Sequence, residues 1–135
     1  MKTEKQNEYL LLFNGSAWYN KLSTEELQKV MKRFQEWFDR VSEKGIIKAA
    51  APLAREGRTL AGKPARVLAD GPFAESKEAI GGYFLLAVDT FEEAVAVAKS
   101  CPSLEYGQIE VRPVAEECPC ASRARLLQRE EVAAA

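Results

Sequence analysis

The stretch Ala69-Asp70-Gly71-Pro72-Phe73-Ala74-Glu75-Ser76-Lys77-Glu78, continued by Ala79-Ile80-Gly81-Gly82-Tyr83-Phe84-Leu85-Leu86, decides the reading of this chain. An extended apolar run, Ala65 to Ala69, ends in an acidic turn. Asp70 can bond its own backbone, Gly71 permits positive φ, and Pro72 fixes φ and pushes the residue before it out of the helical region. Charges of both signs follow, and Gly81-Gly82 then launches Tyr83 to Val88, six apolar residues in a row. A strand without alternation is one that expects cover on both faces.

Working outward towards the N-terminus, Tyr9-Leu10-Leu11-Leu12-Phe13 is a second such run, closed by the turn signal Asn14-Gly15. Its length favours a strand. Ser23-Thr24-Glu25-Glu26 has the form of a capping box. Leu27, Val30, Met31, Phe34, Phe38 and Val41 then recur at helical spacing, with charges on the other side. This predicts an amphipathic helix over about 24–43, stopped by Gly45, with its aromatic stripe packed in the core. Residues 46–54 read as a second strand with Pro52 at its end or at a bulge. Residues 59–64 read as a short strand or an irregular arm.

On the other side of the turn, Thr90 and Glu93 form a second capping-box pair. Phe91, Ala94, Val95 and Ala98 give a narrow helical stripe that must end before Pro102. Gln108 to Val114 alternates, with Ile109 and Val111 on one side and Glu110 and Arg112 on the other, and is the last strand. Residues 122–135 predict a short terminal helix with Leu126, Leu127 and Val132 as its apolar side.

The order strand–helix–strand–strands–helix–strand is the α+β, ferredoxin-like split βαβ pattern with an antiparallel sheet. Two helices cover one face of such a sheet. With no third long helix expected, the second apolar face calls for a second copy of the chain, sheet on sheet.

The string Asp70-Gly71-Pro72-Phe73 resembles the DGPF motif of YCII-related proteins, and Gln108 to Val114 resembles the closing strand of that family. The resemblance covers roughly residues 8 to 115. It divides the chain into a YCII-related (DGPF) domain, 1–115, and a C-terminal tail, 116–135. It implies a dimeric α/β barrel, in agreement with the argument from the apolar strands. Some members pair the corresponding Asp with a His proposed to be catalytic, and this chain has no histidine. The wider superfamily includes isomerases and monooxygenases that act without a metal, and DGPF-type relatives are often associated with extracytoplasmic-function sigma factors.

Composition narrows the chemistry. Apolar residues make up 47% of the chain and charged residues 29%, ordinary values for a soluble globular domain. A net charge of −1 gives no field for nucleic acid or an anionic membrane. No apolar run approaches the roughly 20 residues of a spanning helix, and the polar start of the chain has no signal-peptide core. These features lead to the expectation of a cytoplasmic protein with no nucleic-acid or membrane partner. The absence of histidine removes Ser-His-Asp and Cys-His nucleophiles and the common zinc sites. Cys101, Cys118 and Cys120 are odd in number and poorly spaced for a metal, so free thiols, no metal and no cofactor are expected.

Acid–base work therefore falls to other groups, and Asp70 is the candidate catalytic base, its alternative being a turn cap. Glu75, Lys77, Tyr83, Glu110 and Arg112 are the candidate ligand contacts, weighed against a solvated loop and a structural salt link. The expected function is a small-molecule-binding homodimer with a pocket near the DGPF turn. The two alternatives are a non-catalytic regulatory or partner module in sigma-factor signalling and a metal-independent isomerase- or lyase-like enzyme using Asp70.

Overall fold

A computed structural model describes residues 7–14, 17–70 and 80–134. The expected stretches 71–79, which include Glu75 and Lys77, and 15–16 lie outside the described residues. Six strands and three helices run in the order β1 (Asn7–Asn14), α1 (Thr24–Glu43), β2 (Ile47–Pro52), β3 (Arg58–Ala61), β4 (Arg66–Asp70), β5 (Ile80–Val88), α2 (Phe91–Lys99), β6 (Gln108–Pro113) and α3 (Pro119–Ala134). Short 3-10 turns, Trp18–Lys21 and Pro102–Glu105, precede α1 and β6.

Local chemistry sets the helix ends. Ser23 accepts from the Glu26 amide at 3.1 Å, and the Glu26 carboxylate accepts from the Ser23 amide at 3.2 Å, so both halves of the capping box are made. Gly45 follows the last turn of α1 with φ +71°, a conformation that only glycine adopts without strain. Thr90 caps α2 through the Glu93 amide at 3.2 Å.

The main sheet has the order β2-β5-β1-β6, with every neighbouring pair antiparallel. This is the split βαβ arrangement read from the sequence, with the first strand at the centre. β3 and β4 form a separate two-stranded ribbon. All nine of its strand residues are exposed, Leu60, Val67 and Leu68 among them.

Tyr9 and Leu11 of β1, Phe84, Leu86 and Val88 of β5, Trp37 and Val41 of α1, and Ala94 and Ala98 of α2 form one buried cluster, so both helices cover the same face of the sheet. Trp37, Leu11 and Leu86 are the largest fully buried side chains, and each contributes roughly 1.5–3 kcal/mol by leaving water. The Trp37 indole donates to Ser100 Oγ at 2.8 Å, which satisfies its one polar atom and ties α1 to the end of α2.

As expected from the element order, both helices lie on one face of the sheet, and Leu10, Leu12, Tyr83 and Leu85 on the other face are only half-buried. The tail forms the expected terminal helix, starting three residues earlier, and none of it is buried. Its Leu126, Leu127 and Val132 are exposed, so it supplies no cover for the sheet. No helix among the described residues is long and apolar enough to cross a membrane.

Candidate functional site

Between α1 and the sheet, where β1 ends and β5 and β6 begin, the chain forms a half-open cavity of about 520 Å³. Such a volume suits a small organic molecule. The fold makes it by running short of core. Val30, Trp37 and Val41 of α1 are buried, whereas Phe34 and Phe38 are half-buried and Met31 is exposed. Phe34 and Phe38, with Val30 and Met31, form the helix wall. Phe13 and Phe84 form the sheet wall opposite, with ring centres 5.1 Å apart.

Trp18 closes one side. Its ring stacks on Tyr106 at 5.0 Å, nearly parallel at 14°, and meets Tyr19 edge-on at 5.9 Å. A ring clamped on both sides loses little further freedom when a ligand arrives. Below it, Asn14 and Gln108 are register partners across β1 and β6, and both border the cavity. Gly82 lets the β2 backbone come close, since a Cβ there would stand 3.0 Å from the Ala51 carbonyl oxygen. On the β2 side Arg55 lines the cavity and is exposed. Among the described lining residues it is the one charged group.

The residues proposed from sequence are spread over three places. Asp70 sits at the end of β4, opposite Arg58 in the ribbon, and accepts from Arg58 Nε at 3.4 Å. Its side chain is 66% exposed, and it is not among the cavity's lining residues. Tyr83 borders the cavity, but its register opposite Leu12 and Ala51 gives its ring to the uncovered face of the sheet. Glu110 and Arg112 share that face, opposite Leu12 and Leu10, and pair with each other at 3.8 Å. The structure therefore brings Tyr83, Glu110 and Arg112 onto one sheet face and keeps Asp70 apart from them. Glu75 and Lys77 lie outside the described residues.

Reading the sequence missed the aromatic wall and Arg55. The spacing of the α1 aromatics points to the core alone, and nothing in the sequence around Arg55 singles it out. A signal was present: the stripe of α1 carries more large side chains than one face of a four-stranded sheet can bury.

The profile of the YCII-related domain matches residues 9–117. An uncharacterised protein of Rhizobium meliloti (strain 1021) is 30% identical over 114 residues, an alignment spanning 78% of this chain and 90% of the relative. The match begins two residues into β1 and ends just before α3, so it takes in the rest of the four-stranded sheet, both covering helices and the residues lining the aromatic cavity. The chain belongs to the family of YCII-related domain proteins.

Proposed function

We propose that the protein is a small-molecule-binding homodimer whose ligand site is the aromatic cavity under α1. The observation that carries this reading is the cavity itself: about 520 Å³, walled by Phe13, Phe34, Phe38 and Phe84, with a few polar groups at its borders. Mostly apolar pockets with sparse polar contacts are the usual form of a small-molecule site. The exposed, ion-paired position of Asp70 supports binding over a reaction with Asp70 as base.

The dimer is supported by the uncovered face. Two rows cross it, Ala49-Leu85-Leu10-Arg112 and Ala51-Tyr83-Leu12-Glu110. Each row is apolar at its centre and charged at the β6 edge, the layout of an interface with a polar rim. A second copy with the same rows turned by a two-fold axis would meet apolar with apolar.

The test is thermal denaturation of wild type and Ala50→Phe against a panel of apolar and aromatic small molecules. Ala50 faces Phe84 across β2 and β5 and lines the cavity, so the new ring intrudes on it beside the Phe84 wall. At least one compound class should raise the Tm of wild type and leave Ala50→Phe unmoved. No shift across the panel, or equal shifts in both proteins, would count against the site.

A second reading, a partner module, draws on one observation. The β3–β4 ribbon exposes Leu60, Val67 and Leu68 and is too small to be stable by itself. Light scattering of the purified chain with and without Leu68→Ser discriminates the two. A change in self-association assigns the ribbon to the homodimer, whereas an unchanged dimer leaves it for another protein.

A further inference from the structure

We propose that the ligand is an elongated, flat, apolar molecule carrying one anionic group, with the anion held by Arg55 at the mouth of the cavity. The inference rests on the small-molecule reading above and adds the chemical class. Three observations carry it.

The first is charge. Arg55 lines the cavity, and among the described residues its guanidinium has no hydrogen bond or ion pair. No carboxylate stands among the described lining residues. A cationic ligand would therefore enter an apolar site without a counter-charge, which is costly, while an anion finds a planar fork suited to a carboxylate.

The second is shape. The walls are aromatic faces and edges, with Trp18 held by its stack on Tyr106. Flat ligands gain most from such walls.

The third is length. Arg55 follows β2 at one edge of the sheet, and Gln108 opens β6 at the other, with β5 and β1 between them. Three strand spacings of about 4.8 Å place the two ends roughly 14 Å apart.

The experiment is isothermal titration of the full chain with 2-naphthylacetate and with its uncharged amide, for wild type and Arg55→Gln. Because Arg55 is exposed, the variant keeps the fold, and its melting curve checks this. Wild type should bind the acid at least about tenfold tighter than the amide. Arg55→Gln should abolish that preference and leave the amide affinity unchanged. Equal binding of acid and amide, or a preference that survives in Arg55→Gln, overturns the anionic class while leaving the cavity as a binding site. Binding of neither probe at millimolar concentration overturns both the class and the flat-ligand shape, and Ala50→Phe in the panel experiment then decides the cavity separately.

Discussion

At the scale of single residues, close packing makes several positions unforgiving. A Cβ at position 82 would meet the Ala51 carbonyl oxygen at 3.0 Å and Pro52 Cα at 3.3 Å, both backbone atoms of β2. Gly82→Ala should therefore cost roughly 1–3 kcal/mol, read from the urea midpoint. A loss below a few tenths would mean that β2 moves freely. Asp70 is the opposite case. Its ion pair with Arg58 is exposed on both sides, and exposed pairs are worth at most about 1 kcal/mol. Asp70→Asn should leave stability nearly unchanged at neutral pH. An Asn variant clearly more stable than wild type would reinstate Asp70 as a carboxylate strained for chemistry. The sequence carried the identity of these residues but not their neighbours. Gly81-Gly82 reads as the start of a strand, and nothing local says that a β2 carbonyl oxygen would stand 3.0 Å from a Cβ at position 82. Arg55 had the same difficulty, because the cavity it lines is walled by aromatics that lie on four other elements.

At the scale of elements, α1 was the most legible part of the chain. Its cap, its stripe and its terminal glycine are all local signals, and all three agree with the observed helix, Thr24–Glu43. The ribbon was legible only in part: the extended run Ala65 to Ala69 is observed as Arg66–Asp70 and the short strand or arm over 59–64 as Arg58–Ala61, but that the two pair with each other, apart from the main sheet, depends on a turn and has no periodic signal. α1 also makes a prediction about acid. Hydrogen bonds from Ser23 hold the Glu26 carboxyl below its ordinary value of 4.5. Midway along the helix, Arg33 grips Glu105 through two hydrogen bonds of 2.9 Å and lowers its pKa likewise. A carboxylate whose pKa is lower folded than unfolded stabilises above the unfolded value and loses that contribution as pH falls through the folded one. Stability should fall below about pH 4.5, and Glu105→Gln should flatten that limb of the urea-midpoint profile. An unchanged slope would show that the Arg33 pair contributes nothing in solution. α3 gives a third case. Amides of Cys120 and Ala121 at its first turn lower the Cys118 thiol, whereas burial raises that of Cys101. Iodoacetamide labelling near pH 7.5 should modify Cys118 first and Cys101 last, as mapped by mass spectrometry. Early labelling of Cys101 would mean that α2 opens readily.

At the scale of the whole molecule, the alternation of strands, helices and capping boxes was enough to give the split βαβ order. What the sequence stated only indirectly was where cover is missing. Two non-alternating strands call for two covered faces, and one chain covers one. A solution mass of about twice 15.0 kDa is the expected outcome of light scattering at micromolar concentration. Leu10→Asp should shift it towards the monomer, because it puts a charge at the centre of the apolar rows. A wild-type monomer would remove the dimer from the proposal without touching the cavity. Both sheet edges argue for face-to-face association. β6 closes with Pro113 and carries Glu110 and Arg112, and β2 closes with Pro52. Proline and charge on an outer strand discourage extension of the sheet.

The strand order has a consequence in time. β1 lies at the centre of the sheet, and its two partners are the fifth and sixth strands of the chain. A ribosome finishes Asn14 long before it reaches Ile80, and the strand after that comes later still. At roughly 5–20 residues per second, Tyr9 to Phe13 waits about 3–13 seconds for its first partner. During that interval α1, β2, β3 and β4 are made, but none of them is a strand that pairs with β1. The order that gives the folded protein its central strand therefore leaves that strand unpaired, with its apolar side chains uncovered, for as long as the rest of the sheet is still being made.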